Sequence, residues 1–175
     1  LQKEEYDSET DSEENLSSDD EYDVSLDFVY KVYNNRYIPV KYLGRGTFSR
    51  VWLTYDINDN KLVAMKAIFS KYKDDAKDEI GINKYISSRL NFAENIQLLQ
   101  LKDYFISSSN ETCLIYDLMG VCMLDIIDYY EGQIPENILQ KIMVDLLTGL
   151  KNLHSINRIH TDLKPENMLT NIYSK

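Results

Sequence analysis

Asp162, Lys164 and Asn167 lie within one short stretch, Ile159-His160-Thr161-Asp162-Leu163-Lys164-Pro165-Glu166-Asn167-Met168-Leu169. Together they offer a carboxylate, an ammonium and a carboxamide on a single loop. Transfer of the γ-phosphoryl group of ATP needs such groups held close together. In that chemistry Asp162 accepts or orients the proton of the acceptor hydroxyl. Lys164 steadies the phosphate in transit, and Asn167 ligates one Mg²⁺. The spacing H-x-D-L-K-P-E-N is specific, and it follows a long apolar-periodic segment directly.

Two upstream motifs supply what that loop lacks. Leu43-Gly44-Arg45-Gly46-Thr47-Phe48-Ser49-Arg50-Val51 lies between two β-rich runs. A glycine-rich hairpin can lie over phosphates, because missing side chains let backbone N–H groups approach them. A tight hairpin with no ligand would use the same glycines, so this motif alone leaves both readings open. Val63-Ala64-Met65-Lys66 ends the third run. A lysine in an apolar strand is costly to bury unless its charge is matched; a lysine snorkelling to the surface is the other reading. Its expected partner is Glu79, in Ala76-Lys77-Asp78-Glu79-Ile80, since Asp78 points off that helix face.

The elements needed to position these groups are legible from pattern. Strands are predicted at Tyr37–Leu43, Arg50–Asp56, Leu62–Phe69, Gln97–Phe105 and Thr112–Leu118, with a hairpin turn at Asn58-Asp59-Asn60. A helix is predicted over Asp74–Leu90, a short one over Met123–Tyr130, and a long one from Pro135 to Ser155. The apolar residues Ile138, Leu139, Ile142, Met143, Leu146, Leu147, Leu150 and Leu153 predict burial along one broad face of the long helix. Gly81 and Asn83 predict a poorly held first helix: glycine lowers helix propensity, and a polar Asn83 weakens apolar packing. Five strands with one helix inserted after the third, then helices, is an α+β class. No repeat is present.

Charge is unevenly placed. Residues 1–27 hold 12 of the 29 acidic residues and a single Lys, while the remainder is close to neutral. That acidic stretch is too poor in aliphatics to fold alone and is expected to be a disordered tail. Ser8, Thr10, Ser17 and Ser18 within it each have an acidic residue three positions on. The whole chain, at 43% apolar residues, has enough for one domain with a buried core. No basic stripe argues for direct nucleic-acid binding, and no segment is long and apolar enough for a membrane span. Cys113 and Cys122 lack metal-ligand spacing, which fits a reducing compartment.

With these motifs in this order, residues 37–175 resemble the SR-protein kinase family. The resemblance rests on Gly46-Thr47-Phe48-Ser49-Arg50-Val51-Trp52-Leu53, Val63-Ala64-Met65-Lys66, Asp78-Glu79-Ile80 and His160-Thr161-Asp162-Leu163-Lys164-Pro165-Glu166-Asn167. CDC-like (LAMMER) kinases share the last run but usually keep glycine where Ser49 stands, so they come second. The resemblance implies a protein-kinase fold: a five-stranded antiparallel lobe with one helix (residues 36–118), then the start of a helical lobe (119–175). It implies ATP and Mg²⁺, phosphorylation of serines in Arg-Ser-rich proteins, and a cytoplasmic and nuclear location. Leu43, Val51 and Ala64 would cover the adenine from above and Leu169 from below. Tyr116 would be the gatekeeper, and backbone groups of Asp117 and Met119 would meet the adenine edge. Gly44, Gly46 and Ser49 would border the phosphates. Thr161 replaces the arginine that usually pairs with a phosphorylated activation loop, which implies activity without that phosphate. The sequence given ends before any D-F-G, so it reads as the first half of a catalytic domain, inactive alone. The alternative is an inactive, truncated pseudokinase or a nucleotide- or partner-binding module.

Overall fold

The computed structural model describes residues 29–91 and 97–171. The acidic segment 1–27 and its serines lie outside the described residues. The elements run β1 (Tyr37–Arg45), β2 (Ser49–Asp56), β3 (Lys61–Ile68), α1 (Lys73–Arg89), β4 (Leu101–Ile106), β5 (Thr112–Asp117), α2 (Met123–Tyr129) and α3 (Glu136–Ser155). Short 3-10 turns precede α1 and follow Lys164. The five strands form one antiparallel sheet in the order β1-β2-β3-β5-β4, so α1 and β4 are inserted between two neighbours. The α+β, protein-kinase-like architecture expected from the element order is the one observed.

Period-two alternation divides the sheet into two faces. Tyr37, Trp52, Val63, Met65, Ala67, Cys113 and Ile115 form the core on one face. Tyr37 stacks on Phe105 at 5.6 Å between ring centroids, and its hydroxyl donates to Asp103 at 2.8 Å. Val29 and Tyr33, upstream of the expected boundary at 36, pack against the same core. The β2–β3 turn is tied down by Asp56, whose carboxylate is almost fully buried. It accepts two hydrogen bonds from Arg36 at 2.7 and 2.8 Å and one from the Asn58 N–H at 3.1 Å. The opposite face carries Ala64, Lys66 and Ile68 of β3 beside Leu114 and Tyr116 of β5, and α1 lies against it through Ala76 and Ile80.

Two expectations need correction. The fourth strand starts at Leu101, not Gln97. Its partner β5 ends at Asp117, and Leu101 already pairs with Tyr116, so earlier residues have almost no strand left to pair with. Gln97 instead packs against α3, its Cβ 3.1 Å from where a Cβ on Gly149 would stand. The second concerns α3, where only Gly149 and Leu153 are buried, while Leu139, Met143 and Leu147 are exposed. Among the described residues, α3 meets partners chiefly near its C-terminal end. Periodicity marks which face is apolar but supplies nothing to cover it.

Candidate active site

Lys66 sits on β3 opposite Val51 of β2 and Leu114 of β5, in the middle of the sheet. Its ammonium lies between both carboxylate oxygens of Glu79 on α1, at 2.9 and 2.7 Å. The structure thus pairs the two residues as expected and removes the snorkelling alternative: the charge is matched from the helix. A third member was not foreseen. The Tyr116 hydroxyl donates to Glu79 Oε1 at 2.7 Å. Burial, and secondarily the Glu79 charge, pushes the Tyr116 hydroxyl far above the ordinary tyrosine range, so it stays a donor. Asn83, expected only to weaken the helix, donates its amide to the Glu79 carbonyl at 2.9 Å.

The glycine-rich turn links β1 to β2. Its N–H at Gly46 donates to the Ser49 carbonyl at 2.8 Å, and the ladder continues through Gly44 opposite Val51. Neither Gly44 nor Gly46 has a positive φ, and a Cβ added at Gly44 would meet no protein atom within 4 Å. Hairpin geometry and packing therefore do not account for these glycines. The space they leave open is of the kind a phosphate chain needs. Ser49 is buried, on the same sheet face as Val51, Ala64 and Lys66.

The chain leaves β5 through Asp117, whose carboxylate is tied to Lys102 at 2.9 Å and Lys61 at 3.5 Å. It then passes Met119 and pairs with the segment after the catalytic loop. Gly120 N–H donates to the Thr170 carbonyl at 2.8 Å, Thr170 N–H to Val121 at 2.9 Å, and Met123 N–H to Met168 at 2.8 Å. This small ladder sets Leu169 opposite Cys122, beside the exit of the sheet lobe. Leu43 and Leu169 are both nearly half exposed, at 47% and 46%, as apolar side chains bordering an open cleft would be.

Asp162, Lys164 and Asn167 converge. Asn167 Nδ2 donates to both the carbonyl and the Oδ2 of Asp162, each at 2.8 Å, and Lys164 Nζ stands 3.3 Å from that Oδ2. These contacts, Asn167 first, hold the Asp162 carboxyl below the ordinary aspartate range. Thr161 adopts φ +58°, a left-handed backbone that a β-branched residue rarely takes, and Asp162 follows directly from it. Among the described residues no cluster of three His, Cys, Asp or Glu side chains could hold a metal. With its Nδ2 committed to Asp162, Asn167 retains Oδ1, a hard oxygen suited to Mg²⁺; a nucleotide's phosphates and water would complete the coordination.

Residues 37–175 match the family model described as protein kinase domain. The chain belongs to the protein kinase family. It is 34% identical over 78% of its length to protein kinase dsk1 of Schizosaccharomyces pombe. It is 37% identical over 79% of its length to SRSF protein kinase 3 of Homo sapiens. The chain spans only 27% and 26% of those two relatives, about a quarter of each. A crystal structure of a kinase domain superposes with TM-score 0.74 at 28% identity, covering 81% of this chain and 42% of that one. The SR-protein kinase resemblance read from the motifs is thus met by similarity along most of the kinase segment. No helix among the described residues is long and apolar enough to cross a membrane.

Proposed function

We propose that this kinase-family chain provides the nucleotide site and the catalytic loop of a Ser/Thr protein kinase that phosphorylates serines in Arg-Ser-rich proteins. The observation that carries the proposal is the Lys66–Glu79 pair, with the ammonium held between both carboxylate oxygens at 2.9 and 2.7 Å. A lysine held this way can meet the α- and β-phosphates of ATP without leaving the sheet. The relatives' names support the substrate class, since SRSF protein kinase 3 is among them.

In this reading the adenine lies between Leu43, Val51 and Ala64 above and Leu169 below, with backbone groups of Asp117 and Met119 at its edge. The phosphates run under Gly44, Gly46 and Ser49 toward Lys66. Mg²⁺ bound through Asn167 would neutralise charge on the phosphates. Asp162, kept ionised by Asn167 and Lys164, takes or orients the proton of the incoming serine hydroxyl. Lys164, 3.3 Å from Asp162, would share the charge of the transferred group. Thr161 offers no cation for an activation-loop phosphate, so the intact protein should keep its activity after phosphatase treatment. Cytoplasmic and nuclear sites of action fit this substrate class.

The test is transfer of labelled γ-phosphate from Mg-ATP to an Arg-Ser repeat peptide by the full-length protein. Transfer that falls about a hundredfold in Lys66→Met supports the reading. Nucleotide binding with no transfer to any Ser or Thr peptide would instead favour a nucleotide-binding module.

A further inference from the structure

α1 has little apolar hold on the sheet it serves. Ala76 is its one buried residue, Ile80 sits at the margin of the Ile68, Leu114 and Tyr116 cluster, and Ile82 is 52% exposed. Its N-cap, Tyr72, makes no side-chain capping bond, and Gly81 weakens its interior relative to alanine. Polar contacts supplement that hold: Lys84 donates to the Tyr104 hydroxyl at 2.8 Å and the Tyr85 hydroxyl to the Ile156 carbonyl at 3.3 Å, and the densest group converges on one residue. Glu79 receives Lys66 on both oxygens and the Tyr116 hydroxyl on one of them, while Asn83 bonds its backbone carbonyl.

These partners differ in stiffness. A lysine ammonium on its four-carbon stem follows its carboxylate wherever that goes. Tyr116 is 7% exposed on β5, with Ala64 of β3 as its cross-strand partner, so its ring is fixed by the sheet. A tyrosine has two torsions to lose and a hydroxyl at a set distance from the backbone. The hydroxyl can therefore define where the carboxylate stands, and the lysine then follows.

We propose that Tyr116 and Asn83 are positioning residues for the Lys66–Glu79 pair. Tyr116 fixes the carboxylate from the sheet and Asn83 fixes the Glu79 backbone from the helix. Together they hold α1 where Lys66 faces the nucleotide cleft. The consequence for catalysis rests on the kinase reading above; the consequence for α1 does not.

The experiment is hydrogen exchange on the full-length protein without nucleotide, comparing wild type, Tyr116→Phe and Asn83→Leu. Tyr116→Phe keeps the ring and removes only the hydroxyl. Amides of α1 should then exchange about tenfold faster, or 1.4 kcal/mol, near the lower end for a hydrogen bond to a charged group. Amides of β3 and β5 should be unchanged. Asn83→Leu should speed α1 alone, by about threefold, as expected for a weaker neutral bond. In a Glu79→Ala background, Tyr116→Phe should change nothing further. Unchanged α1 exchange overturns the proposal. So does equal acceleration in β5, which marks a packing role, or an undiminished effect without Glu79. A second arm measures transfer to an Arg-Ser peptide, where Tyr116→Phe should lower kcat about tenfold and leave peptide KM unchanged. If wild type transfers no phosphate, the kinase reading fails while the exchange arm still judges the positioning.

Discussion

The two halves of the site are built in opposite ways. Lys66 and Glu79 are about a third exposed, at 32% and 29% of their side chains, and their partners come from β3, α1 and β5. Lys164 and Asp162 are 49% and 65% exposed, and the contacts that shape them come from within the same loop. The first half depends on the fold staying assembled. The second depends on a short stretch of backbone, with a left-handed residue at Thr161, holding its own shape. Loss of packing should therefore silence the lysine pair before it disturbs the loop. Conversely, changes in the loop should remove chemistry and leave stability almost untouched.

The largest expected effect tests the exposed half. Asp162→Asn in the full-length protein should lower kcat about a thousandfold, within the range for a lost proton acceptor. Its melting temperature should stay at the wild-type value. A matching fall in stability would show that the loop is not the self-contained unit described here. In the wild-type protein, the acid limb of the kcat/KM profile should lie below the ordinary aspartate range, because in the free protein Asn167 and Lys164 favour the ionised carboxyl.

Lys66→Met should come next, at about a hundredfold in kcat, as for loss of one preorganised charge-stabilising donor. Unlike Asp162→Asn, it should also loosen α1, since Glu79 loses its ammonium partner. Exchange rates of the α1 amides read that difference directly.

A third change leaves both halves of the site alone and tests the sheet beneath the lysine. Asp56→Ala strips the β2–β3 turn of its Arg36 pair and its backbone contacts, and should cost about 1.5–3 kcal/mol of stability. The hydrogen bonds from Arg36, above all, depress the folded carboxyl. Its contribution is thus complete above the unfolded aspartate value of about 3.9, and is lost as pH falls through the lower folded value. Acid titration of the melting temperature should show wild type and Asp56→Ala converging below that range. The smallest effect belongs to Lys77→Ala. Its ion pair with Asp74 on the outer face of α1 is fully exposed, and the melting temperature should not change measurably.

Much of this is legible in the sequence. The catalytic loop could be read because its residues act on one another across five positions or fewer, so spacing along the chain is nearly spacing in space. Strand and helix periods likewise gave the element order and, at Lys66, the choice of Glu79 over Asp78. The ends of β4 were not legible, since a strand lasts only as long as its neighbour does. The covering of α3 was not legible either, since a period of apolar residues says nothing about what lies against them.

The sequence by itself determined the chemistry on offer: a glycine-rich turn, a strand lysine, a helix glutamate and a loop carrying Asp162, Lys164 and Asn167. Short-range spacing and periodicity are properties of the chain, and they survive without a fold. Tertiary structure alone decided that Tyr116, 37 positions after Glu79, reaches its carboxylate. That follows from how α1 settles on the sheet, which depends on contacts between residues far apart in the chain, whereas the Asn83 bond to the Glu79 carbonyl spans only four positions within α1.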